Sequence, residues 1–281
     1  MKTIESVVTQ EHDGICIKYY LQNELKLTKN LIKKVKWGFV LVDGSAVTMR
    51  YILKAGQTVK VNLTDNDNKI KPISFPLNII YEDDNILAVN KPSDMPTHPS
   101  RGNSLPTLAE GVIAYMGEDF VFRAVNRLDR DTSGIVIIAK DAYTASLLAK
   151  SMKGGDFKKK YLAILDGIPK KEYDIIDAPI EREYEGSIKR IVTPNGKRAI
   201  TEYNIISTKN GRALAEITLH TGRTHQIRVH MAHIGTPLYS DFLYGTQVGN
   251  EKYYLHARSI EFKHPITNEI IELKCEPDFI L

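Results

Sequence analysis

Hydrophobic and polar residues follow a helical pattern near the start of the chain. Three apolar residues recur at helical spacing, three lysines occupy the opposite side, and a threonine precedes them in the N-cap position: Leu31, Ile32, Val35, Lys29, Lys33, Lys36 and Thr28. The pattern predicts a short basic helix that ends at Trp37 and Gly38. A strand is expected over 39–42.

The segment after this strand has the features of a hairpin. Asp43 and Gly44 form a predicted tight turn, and a returning strand begins at Ala46. Residues 54–61 read as a turn followed by an alternating strand. The first part of the chain therefore combines a basic helix with a small sheet.

The rest of the chain predicts strands with helices between them. Strands are expected over 86–89, 134–139, 161–165, 199–206 and 214–219, and helices over 108–116 and 142–153. No segment of about 20–50 residues repeats, which argues against solenoids and propellers. This pattern is typical of a mixed α+β domain.

A polar segment separates the two patterns. Residues 64–72 read Thr-Asp-Asn-Asp-Asn-Lys-Ile-Lys-Pro and lack apolar periodicity. We therefore predict two domains, residues 1–72 and residues 73–281. The 281 residues are enough for both.

The composition indicates a globular protein. Hydrophobic residues make up 42% and charged residues 26%, and no stretch approaches the ~20 apolar residues of a membrane span. The two cysteines, Cys16 and Cys275, lie far apart, and the first residues do not resemble a signal peptide. We expect a location in the reducing cytoplasm and no membrane association.

Positive charge is concentrated in the first quarter of the chain. The formal net charge is +4, but residues 1–72 hold twelve Lys and Arg against seven Asp and Glu, a net +5, and the remainder carries −1. No acidic residue occurs from Leu25 to Val42, so the lysines of the predicted helix lack nearby acidic partners. A solvated helix face is one interpretation, and this imbalance favours an RNA-binding surface instead.

Residues 126–134 form a dense polar segment between two apolar stretches: Asn-Arg-Leu-Asp-Arg-Asp-Thr-Ser-Gly. Loops between rigid elements often carry active sites, although a salt-bridged surface turn would explain the same residues. Asp129 and Asp131 also allow a glycosidase with paired carboxylates, but nothing else in the sequence supports a sugar cleft.

A second polar segment leads into a predicted short helix. Thr224 can cap a helix that starts at His225, and Gly235 with Pro237 would end it. Three histidines, at 225, 230 and 233, suggest a metal site, but their spacing matches no familiar zinc pattern. We expect core or helix-end histidines and no metal.

The two polar segments occur together with further motifs in a fixed order. Residues 126–134 and 221–230 are joined by matches at 81–92, 95–99, 159–164, 241–245, 255–257 and 264–265. Together they resemble the RluA-type family of RNA pseudouridine synthases over residues 79–279. The resemblance implies a pseudouridine synthase fold, with a mixed, largely antiparallel central sheet flanked by helices and loops.

The first part of the chain has a resemblance of its own. The order of helix, turn and hairpin over residues 12–63 is similar to the alpha-L RNA-binding module, first described in a small-subunit ribosomal protein. Such a module commonly accompanies RluA-type synthases. It implies structured RNA as the partner, with ribosomal RNA favoured over tRNA.

The resemblance to the synthases also implies a reaction and its residues. Uridine in RNA is converted to its carbon-linked isomer without a redox cofactor or metal. Asp129 is the implied catalytic carboxylate, and the sequence leaves open whether it attacks the ring, attacks the sugar or removes a sugar proton. Arg228 is implied to hold this carboxylate ionised and oriented.

Two further residues acquire roles by the same resemblance. Tyr161 would stack on the extruded uracil and assist removal of the proton from its carbon five, although an aromatic residue in a strand is more often part of a core. Arg127 would fill the gap that a flipped nucleotide leaves.

One position departs from the family pattern. Asn126 stands where a histidine is usual, which affects local hydrogen bonding more than the chemistry. Together with the basic module it motivates an alternative function, a catalytically silent RNA-binding or ribosome-assembly protein. The joint presence of Asp129, Tyr161 and Arg228 favours an active enzyme.

Six cations are predicted to contact RNA phosphates without reading sequence. They are Lys29, Lys33, Lys36, Lys158, Lys159 and Arg223. We expect a monomeric RNA pseudouridine synthase that needs no cofactor.

Overall fold

The computed structural model describes residues 2–35, 38–63, 70–100 and 104–281. Within these ranges the chain forms five α-helices and fifteen strands, which are arranged in three sheets. The predicted α+β class is confirmed. None of the helices in the described ranges has the length and apolar character needed to cross a bilayer.

A four-stranded antiparallel sheet lies in the first part of the chain. Its elements are β1 (Lys2–Val7), β2 (Val40–Val42), β3 (Ser45–Ala46) and β4 (Thr58–Leu63), with the helices α1 (Ile17–Asn23) and α2 (Lys29–Val35). The strand order is β1-β4-β2-β3. Asp43 and Gly44 have φ angles of 49° and 81° and form the predicted turn between β2 and β3. A two-residue hairpin turn needs positive φ angles at both positions to match the twist of the flanking strands.

Helix α2 begins as its sequence predicts. The backbone N–H of Leu31 donates to Thr28 Oγ1 at 3.3 Å, so the threonine satisfies one of the first free donors of the helix. The apolar side of α2 is buried in a core shared with α1 and the sheet, whereas Lys29 and Lys33 are exposed. Lys36 and Trp37 lie outside the described residues, and Gly38, at the predicted end of the helix, is not helical and has a φ of 77°.

A nine-stranded sheet organises the second part, in the order β5-β6-β7-β14-β8-β13-β12-β9, with β15 paired to β14. Its strands are β5 (Ile79–Glu82), β6 (Ile86–Lys91), β7 (Ser133–Ala139), β8 (Lys158–Leu165), β9 (Tyr173–Asp177), β12 (Ile200–Lys209), β13 (Arg212–Leu219), β14 (Leu255–Lys263) and β15 (Ile270–Lys274). Strands β10 (Ile180–Arg182) and β11 (Arg190–Val192) form a separate hairpin. The β7–β14 pair is parallel and the other pairs are antiparallel, which confirms the predicted mixed sheet.

The parallel pair depends on a glycine. Gly134 has a φ of +111°, and a Cβ there would lie 2.4 Å from the carbonyl oxygen of Ala257. Only a residue without a side chain allows β7 and β14 to approach so closely. Gly134 directly follows the polar loop of residues 126–133, so this contact fixes the end of that loop against the centre of the sheet.

Three helices, α3 (Leu108–Met116), α4 (Ala142–Gly154) and α5 (Gln226–His233), belong to the second part. Thr107 and Glu110 form a capping box at the start of α3, and the Asp141 carboxylate accepts two backbone N–H bonds at the start of α4. The predicted cap of α5 is wrong by one residue, because His225 rather than Thr224 occupies the N-cap, in a left-handed conformation with no side-chain cap.

The two parts of the chain touch at α4. Lys2 Nζ lies 2.6 Å from an oxygen of Asp141, and the backbone N–H of Thr28 donates to Ser146 Oγ at 3.1 Å. Ala142 and Tyr143 pack against the core of the first part. The start of α2 is therefore anchored to the second part of the chain.

Candidate active site

The polar loop before β7 is fixed by side chains on both sides of Asp129. Asn126 is buried; its amide donates to the carbonyl of Ile135 at 2.9 Å and its oxygen accepts from the N–H of Ile137 at 2.9 Å. Thr97 Oγ1 donates to the carbonyl of Leu128 at 2.8 Å. The side chain of Asn126 therefore pairs with the backbone of β7 and does not contact the carboxylate three residues later.

A buried lysine holds the other half of the loop. Lys91, at the end of β6, is fully buried, and its Nζ donates to the carbonyl oxygens of Pro92, Met95 and Arg130 at 2.8, 2.7 and 3.0 Å. Burial lowers the pKa of Lys91 to about 7, and the charges of Asp131 and Asp129 oppose this effect. All three ammonium hydrogens are used within the protein, which makes Lys91 a structural support for the loop.

The two aspartates of the loop have different surroundings. Asp131 is 5% exposed and receives a two-point contact from Arg130, with both nitrogen to oxygen distances at 3.0 Å. The Asp129 side chain is 31% exposed and lies 3.6 Å from Arg228 Nη1 through its Oδ2 atom. Asp129 alone is open to a substrate, which argues against a glycosidase that would use both carboxylates.

Arg228 is a buried residue of α5 whose guanidinium joins two carboxylates. Its Nε and Nη2 donate to the two oxygens of Asp241, both at 2.7 Å, and Nη1 is left to face Asp129. Burial favours the neutral guanidine, but the hydrogen bonds from Arg228 to Asp241 prevail and raise its pKa. Arg228 therefore stays positively charged and is held in one orientation. Its ion pair with Asp241 is buried and does not lie on the surface.

Aromatic side chains surround this pair. Tyr161 is 6% exposed at the centre of the sheet, where β8 pairs with β13 and β14. Burial, and to a smaller extent the charge of Asp129, raises the pKa of Tyr161, so its hydroxyl keeps its proton. The Arg228 guanidinium lies 4.3 Å from the ring centre of Tyr253, whose hydroxyl is 3.2 Å from Thr132 Oγ1. Asp129, Arg228 and Tyr161 therefore come together, although they are far apart in the sequence.

His230 in α5 and His225 at its N-cap have separate surroundings. His230 is fully buried, with Nε2 donating to the Ala178 carbonyl and Nδ1 near Thr201 Oγ1, each at 2.8 Å. Both ring nitrogens are thus occupied by protein partners. His225 instead points towards Asp129, with Nε2 at 3.8 Å from Oδ2.

The cations predicted to bind RNA occupy unlike positions. Arg127 is exposed and forms no ion pair within the described ranges. Lys158 is paired with Glu261 at 2.7 Å, whereas Lys159 points to the other face of β8, is half-buried and has no acidic partner among the described residues. Arg223 is exposed, and its Nε donates to the Arg198 carbonyl at 3.0 Å.

Several residues that support the site were not predicted from the sequence. Asp241 orients Arg228, Lys91 and Thr97 hold the loop, and Tyr253 packs on the guanidinium. Three of them, Lys91, Thr97 and Asp241, lie in segments that matched the family pattern. That match indicated their positions but not their contacts, because each partner lies elsewhere in the chain.

Comparison with known proteins identifies the class of this fold and site. A family model for RNA pseudouridylate synthases matches residues 85–233, more than half of the chain. The solved structure of human RNA pseudouridylate synthase domain containing 1 superimposes with a TM-score of 0.61 and 26% identity, covering 73% of this chain and 85% of the human one. The second part of the chain has the pseudouridine synthase fold.

Relatives with similar sequences narrow the family. The chain is 35% identical to the uncharacterized RNA pseudouridine synthase YjbO of Bacillus subtilis, over 88% of this chain and 90% of that protein. It is 34% identical to the ribosomal large subunit pseudouridine synthase D of Xanthomonas campestris pv. campestris, over 84% and 77%. The chain belongs to the RluA-type family of RNA pseudouridine synthases, which are isomerases acting on RNA.

Proposed function

We propose that this enzyme isomerises specific uridines of structured RNA, and that Asp129 is its catalytic residue. The observation that carries this proposal is the position of Asp129. It is a partly exposed carboxylate of a rigid loop, and it lies 3.6 Å from a buried arginine and close to Tyr161. Its neighbour Asp131 is engaged by Arg130 and is buried.

The surroundings of Asp129 suit a reactive carboxylate. The isomerisation breaks the bond between ribose and ring nitrogen and forms a bond to carbon five, so atoms are neither added nor lost. A carboxylate covered by a nucleotide would tend to take up a proton, and the fixed charge of Arg228 opposes this. Tyr161, which keeps its hydroxyl proton because of burial, provides a flat surface for the uracil ring.

Access to a paired uridine requires base flipping. We assign Arg127 to the space that the flipped nucleotide leaves, because it is exposed, carries no ion pair among the described residues and lies two positions from Asp129. Lys159 and Arg223 are proposed to contact phosphates near the flipped nucleotide. Lys158 is a weaker candidate, since Glu261 already offsets its charge.

The first part of the chain is proposed to be a separate RNA-binding domain of the alpha-L type, covering residues 1–72. Its own sheet and core, together with the exposed Lys29 and Lys33 of α2, support this proposal. A relative with 34% identity is named a ribosomal large subunit pseudouridine synthase. We therefore propose large-subunit ribosomal RNA as the substrate.

Mapping pseudouridine in cells tests the reaction, the residue and the substrate together. Cells that lack the gene are complemented with the wild-type protein, with Asp129→Asn, or with Asp166→Asn, an exposed aspartate outside the site. We expect the wild-type and Asp166→Asn proteins to restore the same positions in ribosomal RNA and Asp129→Asn to restore none.

Other distributions of pseudouridine among the cellular RNAs would contradict parts of the proposal. Restoration by Asp129→Asn would reject the catalytic residue, and sites in tRNA alone would reject the substrate. If the wild-type protein restored no site, the alternative of a catalytically silent RNA-binding or ribosome-assembly protein would take its place.

A further inference from the structure

The residue before α5 adopts an unusual backbone conformation. His225 has a φ of +57° and a ψ of +19°, in the left-handed region that few residues other than glycine occupy. Such a conformation is strained for a residue with a side chain and persists where the surroundings require it. His225 does not cap the helix with its side chain, so helix capping does not explain its presence there.

The histidine ring connects Asp129 to a tyrosine. Its Nε2 lies 3.8 Å from Asp129 Oδ2, and its Nδ1 lies 2.8 Å from the hydroxyl oxygen of Tyr244. The left-handed backbone turns the imidazole into this position, where the side chain is 15% exposed. The ring therefore lies between the reactive carboxylate and the turn that carries Tyr244.

Tyr244 determines which nitrogen of His225 carries the hydrogen. The Tyr244 oxygen accepts the backbone N–H of Arg190 at 2.8 Å, so its own hydrogen is available to His225 Nδ1. Burial raises the pKa of Tyr244 to about 12 and lowers the pKa of His225, so the hydroxyl keeps its proton and the neutral imidazole is favoured. The hydrogen of the imidazole then lies on Nε2, facing Asp129.

Asp241 supports both residues that face Asp129. It binds Arg228 directly and holds the turn of Tyr244, which pairs with His225. Its carboxylate accepts Nε and Nη2 of Arg228, and its Oδ1 also accepts the backbone N–H groups of Leu243 and Tyr244 at 3.0 and 3.3 Å. One buried aspartate therefore fixes the arginine and the turn that holds the tyrosine.

We propose that His225 is a second positioning residue for Asp129, which acts with Arg228 on the same carboxylate oxygen. Both donors make their nearest contact with Asp129 at Oδ2, His225 Nε2 at 3.8 Å and Arg228 Nη1 at 3.6 Å. Oδ2 is the anchored atom and Oδ1 the atom presented to the uridine. This inference rests on the proposed function, because it assumes that Asp129 reacts.

The 3.8 Å distance between His225 Nε2 and Asp129 Oδ2 suits a contact that shortens when RNA binds. Catalytic hydrogen bonds are often long in the free enzyme and shorten in the reactive complex. An error of about 1 Å in the position of a reacting group can reduce a rate about 100-fold. The contribution of His225 should therefore be visible in the chemical step rather than in RNA binding.

Substitution by asparagine removes the contact to Asp129 alone. Asparagine tolerates the left-handed backbone, and its amide can still pair with Tyr244, but it is too short to reach Asp129. We expect His225→Asn to lower the single-turnover rate about 10- to 100-fold at saturating enzyme, with RNA affinity unchanged. His225→Gln, whose longer amide can donate towards Oδ2, should recover part of the rate.

Tyr244→Phe tests the hydrogen placement independently. It leaves His225 in place but removes the hydroxyl that directs the hydrogen to Nε2, so the rate should fall by a smaller factor than in His225→Asn. This variant also keeps the inference testable if His225→Asn does not fold. A wild-type rate in a folded Tyr244→Phe would contradict the proposed placement.

The assay uses total RNA purified from cells that lack the gene, and follows pseudouridine at each modified position over time. Asp129→Asn is measured in parallel. If Asp129→Asn is inactive and His225→Asn retains the wild-type rate, the inference about His225 is overturned while the proposed function stands. If Asp129→Asn is active, the proposed function itself fails. A loss of RNA affinity that accounts for the whole effect of His225→Asn would also overturn the positioning role.

Discussion

Burial and pairing separate the proposed catalytic residue, Asp129, from the structural residues around it. Asp131 and Lys91 are buried, and their polar atoms are engaged by the protein itself. Asp129 is partly exposed, and its Oδ2 lies at the longer distance of 3.6 Å from Nη1 of Arg228. At the scale of single residues, the difference between neighbours such as Asp129 and Asp131 comes from contacts and not from residue type.

The hydroxyl of Tyr161 provides a residue-scale prediction. Tyr161→Phe keeps the ring that is proposed to stack on the uracil but removes the hydroxyl near Asp129. We expect RNA affinity to change less than about twofold and the single-turnover rate to fall about 100-fold, as for loss of a protonated hydroxyl that relays a proton. Rapid-quench measurement of pseudouridine formation checks this, and an unchanged rate would restrict Tyr161 to stacking.

Buried histidines give the stability a pH dependence. Burial lowers the pKa of His230 below its usual 6.5, so below pH 6.5 the unfolded chain takes up a proton that the folded chain does not. The contribution of His230 is therefore complete above pH 6.5 and declines as the pH falls towards its folded pKa. The expected slope is up to about 1.4 kcal/mol per pH unit.

Urea unfolding at pH 7.5 and 5.5 measures this effect. His230→Gln should lose stability at pH 7.5 but show a smaller further loss at pH 5.5 than the wild type. His98→Gln, at an exposed histidine, is the control and should keep the wild-type difference. Equal differences in all three proteins would assign the pH dependence to other groups.

The main site residues could be predicted because they lie in recognisable segments. Asp129, Arg228 and Tyr161 each belong to a matched motif, and the structure brings them together. The role of Asp241 could not be read in the same way, because it depends on Arg228 thirteen positions earlier in the chain. Similarly, the contact of His225 with Asp129 arises from a positive φ that its residue type does not predict.

At the scale of elements, the parallel pairing of β7 and β14 positions the loop that carries Asp129. The loop ends where Gly134 meets Ala257, and the same strand β14 pairs on its other side with β8, which carries Tyr161. The pairing of β14 with β7 and with β8 therefore sets the distance between the loop and Tyr161.

Gly134→Ala tests the close approach of these strands. A methyl group there would collide with the Ala257 backbone and would also require a φ of +111° from a residue with a side chain. We expect a loss of about 3 kcal/mol or more in the free energy of unfolding. At Gly211 φ is +75°, and an added Cβ would have no atom within 4 Å apart from its neighbours in the chain. Gly211→Ala should therefore cost only about 1–2 kcal/mol in the free energy of unfolding. Similar losses for both, measured in urea, would show that packing against β14 is unimportant.

Helices with a strong local pattern were predicted closely, whereas some strands with distant partners were missed. Helix α3 has the predicted bounds, and α4 differs by one residue. Strands β1 and β14 were not predicted, because β1 pairs with β4 more than fifty residues away and β14 joins three strands from different parts of the chain. Pairing over such separations leaves little local signal.

At the scale of the whole molecule, charge and chemistry occupy different parts of the chain. The excess positive charge lies in residues 1–72, and the reactive loop lies in the second part. Lys2 with Asp141, and Thr28 with Ser146, join the two parts. Contacts at the start of α2 therefore give the basic helix a defined position relative to the synthase fold. A monomeric state in solution stays a prediction.

The basic helix should contribute affinity and not rate. We expect Lys29→Ala with Lys33→Ala to weaken RNA binding, to reduce the slope of log affinity against log salt by about 2, and to leave the saturated rate unchanged. The control is Lys18→Ala with Lys54→Ala, which removes the same charge from the same part of the chain but outside α2. Equal effects of both pairs in filter-binding titrations would indicate a general charge effect rather than a binding surface.

The central claim is that Asp129, held by Arg228, carries out the isomerisation. The most direct measurement is the single-turnover rate of pseudouridine formation by purified Asp129→Asn at saturating enzyme, together with its RNA affinity. We expect the affinity to stay within about twofold of the wild type and the rate to fall at least about 10³-fold, because the carboxylate is replaced by a neutral amide of the same shape. Pseudouridine formation by this variant at the wild-type rate would contradict the claim.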